Sequence, residues 1–179
     1  MQSSNMKTIF IVDDNDANLL LGKNVLDGTY ETYALPSALR MFKLLEKIIP
    51  DLILLDVDMP EMNGYEAIQI LKFKPETENI PVIFLTGKTG SDDEIKGLSL
   101  GAVDYVTKPF QATLLLKRIE MHLLVNEQRK KLKRQAIELT NFRDNLQKMD
   151  WEKTENVLEL KNTMLKTLTE LIECRDDRV

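Results

Sequence analysis

Apolar and polar positions change their rhythm once along this chain. Up to about Phe110, short unbroken apolar runs alternate with segments whose apolar residues recur every three or four positions. That is the pattern of strands buried on both faces and of helices laid over them. The runs are Thr8–Val12 (TIFIV), Tyr30–Ala34, Leu52–Asp56 (LILLD), Pro81–Thr86 (PVIFLT) and Val103–Thr107. A first helix is expected from about Asp16 to Leu26, with Leu19, Leu20 and Leu21 in its apolar part and Gly28 ending the unit. A second is expected from Pro36 to Ile48, with Pro in the first turn and Leu39, Phe42, Leu45 and Ile49 at helical spacing. A third runs from Gly64 to Phe73 and is stopped by Pro75, a fourth covers about Asp92–Leu100, and a last helix starts at Lys108-Pro109. Five βα units with short connections predict an α/β fold, a doubly wound five-stranded parallel sheet with helices on both faces.

Beyond Phe110 the rhythm is helical to about Cys174. All seven glycines fall at or before Gly101 and all six prolines at or before Pro109, so nothing there breaks a helix. A continuous helix would extend ~95 Å at about 1.5 Å per residue. Leu132, Leu139 and Leu146 recur at seven, with Val125 before them and Leu160 in the same register, while Ala136, Val157, Met164 and Leu171 fit the other seam position. Arg129, Arg143, Asp150 and Lys153 interrupt this seam, and Phe142 and Met149 suggest a competing register. The expectation is a parallel two-stranded coiled coil that makes the chain a homodimer, with Trp151 as a seam anchor and a weak stretch near Asp150–Lys153 where registers can shift. The chain thus divides into residues 1–126 and 127–179.

Composition and charge narrow the function. No apolar run approaches the ~20 residues needed to cross a bilayer, and MQSSNMKTIF has no export signature, so no membrane partner and a cytoplasmic location are expected. The single Cys174 excludes an intramolecular disulfide, and the single His122, expected to be a helix residue without a chemical role, excludes a metal site built on several imidazoles. The net charge of −5 is uneven: residues 1–126 carry 12 basic and 18 acidic side chains (−6), residues 127–179 carry 12 and 11 (+1). An acidic first part is a poor nonspecific nucleic-acid binder. The cluster Arg129-Lys130-Lys131-Leu132-Lys133-Arg134 lies among acidic residues with no base-reading side chains, so it is expected to be a coiled-coil flank, without direct nucleic-acid binding.

Strand ends of a parallel sheet share one edge, and open α/β sheets place their chemistry there. That edge collects Asp13 and Asp14 after the first strand, Asp56 at the end of the third, Thr86 at the end of the fourth and Lys108 after the fifth. Such a constellation can hold a metal ion or accept a phosphoryl group. Three converging carboxylates repel unless a cation sits among them. Mg²⁺, with Mn²⁺ as a substitute, takes about six oxygens at roughly 2.0–2.1 Å, one or two of them carboxylates. Lys108 and Thr86 would add an ammonium and a hydroxyl for phosphoryl oxygens, and Asp56 would be the nucleophile that forms an acyl phosphate.

The series Asp13-Asp14, Asp56 with MPEMNG after it, Thr86, Lys108-Pro109 and Tyr105 two residues before Thr107 resembles the receiver domain of two-component response regulators, over about residues 6–126. The resemblance implies a CheY-like, flavodoxin-like sheet of order 2-1-3-4-5. It implies that Asp56 is the phospho-acceptor, and that Asp13 and Asp14 bind Mg²⁺ together with Asp56 and the main-chain carbonyl of Asp58. Lys108 would contact the phosphoryl group, Thr86 would move to hydrogen-bond it, and Tyr105 would turn inward when Thr86 moves. The donor would be a phosphohistidine on a sensor histidine kinase or a phosphotransfer protein. Asp58 and Lys88, on facing loops, are expected to approach each other and tune the access of hydrolytic water.

Two other functions compete. Asp56-Val57-Asp58 also resembles the Asp-x-Asp of haloacid-dehalogenase-type phosphatases, although there the pair normally opens the fold; a purely structural coiled-coil adaptor is the third class. A calcium loop is ruled out by Pro60 at its third ligand position. The segment Leu160–Asp177 resembles the lead-in helix of HD-GYP cyclic-di-GMP phosphodiesterases, which often follow a receiver. That hydrolase needs several His and Asp ligands, so with only His122 this polypeptide is expected to be no phosphodiesterase, and no enzyme beyond its own phosphorylation. The expectation is a chain cut short before an output domain such as HD-GYP, or a stand-alone regulator whose helix ends in Val179.

Overall fold

The computed structural model describes residues 6–87 and 91–176, and their side chains except at 91–93 and 169–176. Five strands, β1 (Thr8–Val12), β2 (Glu31–Leu35), β3 (Leu52–Asp56), β4 (Val82–Thr86) and β5 (Asp104–Thr107), form one parallel sheet in the order β2-β1-β3-β4-β5. The helices between them are α1 (Asp16–Leu26), α2 (Ala38–Leu45), α3 (Gly64–Phe73) and α4 (Ser91–Ser99), and α5 (Ala112–Asp176) follows β5. The sheet order is the one implied at the outset.

The apolar runs explain the layers. β3 and β4 are buried at every position because helices cover both sheet faces there. Side chains alternate faces along a strand, so Phe10, Val12, Ile53, Leu55, Val82 and Phe84 point to one side and pack with Met41, Leu45, Ala67, Ile68 and Leu71 of α2 and α3. Ile9, Ile11, Leu52, Leu54, Ile83 and Leu85 point to the other, against Leu19 and Leu26 of α1 and Leu115 and Ile119 of α5. Register pairs Val12 with Leu55, Leu55 with Phe84 and Thr86 with Thr107, which brings the strand ends level along one edge.

Some expected boundaries and faces move. α2 begins at Ala38, because Ser37 caps it by accepting a hydrogen bond from the Arg40 amide at 3.3 Å; Pro36 therefore precedes the cap rather than filling the first turn. The buried face is Ala38, Met41 and Leu45, while Leu39 is 50% exposed; Ile49, 53% exposed, lies past the end of α2, which stops at Leu45 rather than Ile48. In α1 Leu20 and Leu21 are exposed and Leu19, Gly22 and Leu26 face inward. A Cβ on Gly22 would lie 2.9 Å from Ile11 Cδ1, which is how closely α1 sits on β1. Lys108-Pro109 is a cis peptide in the loop before α5, not the start of that helix.

Compact units separate at Glu127/Gln128. The first carries the sheet. In the second, α5 continues without interruption, and residues 128–168 are all exposed. Among the described residues no helix is long and apolar enough to cross a membrane.

Candidate functional site

The C-terminal ends of β1, β3, β4 and β5 each deliver one component of the site. β3 ends on Asp56, which is only 5% exposed because the apolar run that buries the strand carries it inward. Its Oδ1 accepts the Val57 amide at 2.8 Å and faces Lys108 Nζ at 2.9 Å. The same ammonium lies 2.5 Å from Asp13 Oδ2, so Lys108 bridges two buried carboxylates. Asp14, the next residue, is exposed at the mouth. Asp13, Asp14 and Asp56 each offer one oxygen, and these all lie within 4.8 Å of one another. Such a group of hard oxygen donors around one point fits a small divalent cation.

Electrostatics at Asp56 are balanced. Burial pushes its carboxyl above the usual 3.8, the neighbouring Asp13 charge adds to that, and the Lys108 ammonium and the Val57 amide oppose it without cancelling it. The result is a carboxylate of raised basicity held in a fixed orientation.

The backbone around Asp56 is fixed as tightly. Asn63 caps α3 in a reciprocal box, its Oδ1 accepting the Glu66 amide at 2.9 Å while Glu66 Oε2 accepts the Asn63 amide at 3.0 Å. The Gly64 amide donates to Val57 O at 2.9 Å, and any Cβ on Gly64 would overlap the Asp56 carbonyl oxygen and lie 2.9 Å from Val57 Cα. Between them the Met62 amide donates to Pro60 O at 2.7 Å around Glu61, whose φ is +64°, a strained three-residue turn beside the acceptor.

On the far side, Thr86 is buried at the end of β4, and its carbonyl accepts the Lys108 amide at 2.7 Å, which ties the β5 end to β4. Tyr105 pairs with Phe84 across the sheet and is buried within the core, so its ring is inward in this structure. Asp58 is exposed just past β3. Lys88 lies outside the described residues. Asp13, Asp14, Asp56 and Lys108 are thus brought together, and Thr86 and Tyr105 stand on the adjoining strands.

Three features escape the sequence reading. Asn18 donates from Nδ2 to Asp13 Oδ1 at 3.0 Å, and no spacing announces that contact. Gly64 is read there only as the first residue of a helix, whereas it also packs directly against the acceptor's backbone. His122 has a partner after all: its Nε2 lies 3.0 Å from Asp104 Oδ2, while Arg118 Nη1 reaches both oxygens of Asp104 at 2.7 and 2.8 Å. Asn63-x-x-Glu66 was the one legible signal, a capping box.

Comparison with known proteins fits this geometry. The family model described as the response regulator receiver domain matches residues 9–120. A protein of Vibrio cholerae serotype O1 described as a probable cyclic di-GMP phosphodiesterase is 38% identical over 176 residues, covering 98% of this chain and 38% of its own length. The response regulator PleD of Caulobacter vibrioides is 39% identical over 115 residues, 62% of this chain and 25% of PleD. The chain therefore spans well under half the length of both. Among solved structures, the Mn²⁺-bound form of the response regulator Rcp1 is similar at 30% identity with a TM-score of 0.56, covering 63% of this chain and 88% of that one.

Proposed function

The chain belongs to the family of response regulator receiver domains, and from that premise we propose that Asp56 accepts a phosphoryl group from a phosphohistidine on a sensor histidine kinase or phosphotransfer protein. The observation that carries this reading is the setting of Asp56: a buried strand-end carboxylate with raised basicity, Lys108 on one side and the oxygens of Asp13 and Asp14 within 4.8 Å. The Val57 amide and the Lys108 ammonium both meet Oδ1, and we assign Oδ2 as the attacking oxygen. It forms the new P–O bond as the P–N bond to the donor imidazole breaks, and the bonding pair leaves on the imidazole nitrogen, which takes up a proton. Asp13, Asp14, Asp56 and the main-chain carbonyl of Asp58 would hold Mg²⁺, or Mn²⁺ in its place, to supply positive charge for the phosphoryl oxygens. Lys108 then turns its ammonium from the carboxylates to the phosphoryl group, and the Thr86 hydroxyl donates to a second phosphoryl oxygen. On this reading the position of Tyr105, whose ring is buried inward, is coupled to the movement of Thr86. Asp58 at the mouth, together with Lys88, is read as tuning hydrolytic water; an unchanged rate of phosphate loss in Lys88→Ala would remove that role.

The output side rests on the tail. Similarity to the Vibrio cholerae protein runs the length of the tail, whereas similarity to PleD covers only 62% of the chain. We therefore read the tail as a helix that pairs with a second copy of this chain and passes the phosphorylation state to a phosphodiesterase domain of the HD-GYP kind, in the cytoplasm. On this reading the chain's own chemistry is limited to its phosphorylation, because one histidine does not supply the ligands of that hydrolase.

The test is incubation with acetyl phosphate and Mg²⁺ followed by intact mass. A single-phosphate adduct on the wild-type chain that is absent from Asp56→Asn is the expected result. Consumption of acetyl phosphate without an adduct would overturn it in favour of a phosphatase, and the absence of any Mg²⁺-dependent change would leave a structural coiled coil.

A further inference from the structure

We infer that Asn18 is a positioning residue for Asp13, aiming one oxygen of that carboxylate at the cation and phosphoryl pocket; the inference rests on the reading of Asp56 as phospho-acceptor. Each carboxylate oxygen has about two acceptor sites. On Asp13 Oδ1 both are filled, by the Asn15 amide at 3.0 Å and by Asn18 Nδ2 at 3.0 Å. Oδ2 is left facing Lys108, in the group that Asp14 and Asp56 complete. The Asn15 amide alone would not fix this. A carboxylate held at one point can turn about its last torsion, whose preferences are broad. A second donor, from the next turn of chain, makes the hold two-point.

Asn18 is an unusual choice for its place. It is the third residue of α1, where a Glu or Gln often reaches back to the cap's own amide. Here Asn15 is the cap and takes the amides of Ala17 at 2.9 Å and Asn18 at 3.3 Å. The Asn18 side chain passes over the cap to Asp13. A Glu there would set a fourth carboxylate against three that already converge, whereas an amide donates without adding charge. The start of α1 is thereby tied to the site by one hydrogen bond from an uncharged donor, which local helix formation does not require.

The experiment compares the wild-type chain with Asn18→Leu, which has the same side-chain branching but no donor, Asn18→Ala, and Asn18→Gln, which keeps the amide. Mn²⁺ binding is followed by electron paramagnetic resonance of the free ion with no phosphodonor present, and adduct formation from acetyl phosphate is followed as a function of Mg²⁺. Partners that orient a metal-binding side chain typically change metal affinity by about tenfold or more when removed. The Leu and Ala variants are expected to bind Mn²⁺ about tenfold more weakly, to the same degree despite their different volumes. They should need correspondingly more Mg²⁺ for half-maximal adduct formation while changing less at saturating Mg²⁺, and Gln should recover part of the loss. Folded Leu and Ala variants with wild-type Mn²⁺ affinity overturn the inference, as does a loss confined to Ala, which would point to packing. A wild-type chain that binds no Mn²⁺ and forms no adduct removes the phospho-acceptor reading, and this inference with it.

Discussion

Asp56 could be read from sequence because burial and position coincide in one word of the chain. LILLD is an apolar strand that ends on a carboxylate, and a buried central strand ends at the edge where ligands bind. Gly64 could not be read so, since its importance lies in a distance. A side chain there meets backbone on two sides, the Asp56 carbonyl and Val57 Cα, and backbone cannot yield as a flexible side chain does. Gly64→Ala is therefore expected to lower stability by about 1–3 kcal/mol, the usual cost of overpacking, through a reduced urea midpoint. It should also slow adduct formation from acetyl phosphate, because the displaced atoms carry the acceptor. A variant with unchanged midpoint and rate would mean that the β3–α3 loop gives way more easily than its packing indicates. Lys108 makes a complementary case at the same scale. It neutralises two buried carboxylates, so Lys108→Ala leaves them facing each other and should be stabilised by Mg²⁺ more than wild type is, seen as a larger rise in melting temperature with added Mg²⁺.

Between elements, β5 and α5 are joined by charge as well as by packing. Asp104 opens β5, and Arg118 and His122 approach it from successive turns of α5. Burial pushes the Asp104 carboxyl up, but the hydrogen bonds from Arg118, the Tyr105 amide and His122 outweigh it and hold the group below the usual 3.8. A carboxyl with a depressed native pKa stabilises the fold above its unfolded value and loses that contribution as pH falls through the native one. Asp104→Asn should thus cost about 1 kcal/mol at neutral pH, a modest figure because Arg118 is partly solvated, and the difference from wild type should close as pH falls below 3.8. Urea titrations of both chains at neutral and acidic pH measure it; a gap that does not depend on pH would mean that Asp104 acts through packing alone. The sequence could not reveal this clamp, because its members are 14 and 18 residues apart and a lone histidine carries no spacing. Element types were legible for the opposite reason, since runs and repeats are local. The α2 face shows the limit of that: Leu39 shares helical spacing with Phe42 and Leu45, but Ala38, Met41 and Leu45 are the residues that face the sheet, and the helix ends before Ile49.

At the scale of the molecule, the sheet-bearing unit builds a two-sided apolar core, and the second unit buries none of its residues 128–168. Leu139 and Leu160 are 69% and 67% exposed, and a single helix gains little from burying nothing. The exposed apolar residues have an order of their own. From Leu132 through Leu139, Phe142, Leu146 and Met149 they step by sevens, or by threes and fours, the seam of a left-handed two-stranded coil. After Lys153 the steps to Val157, Leu160, Met164 and Leu168 run four, three, four, four, which is closer to an eleven-residue repeat and unwinds such a coil. Lys153 sits at the change, where a charged side chain in the seam weakens pairing and lets the two halves differ in twist. If a second copy covers this face, an aspartate in the seam should abolish pairing without touching the acceptor. Leu139→Asp is expected to shift the chain from dimer to monomer in sedimentation velocity, with association weakened at least about tenfold for a lost seam leucine, while adduct formation on Asp56 keeps its wild-type rate. Lys153→Leu should act in the opposite sense and tighten the dimer. Equal masses for wild type and Leu139→Asp at every concentration would show that Leu139 does not lie in a seam between two copies of this chain.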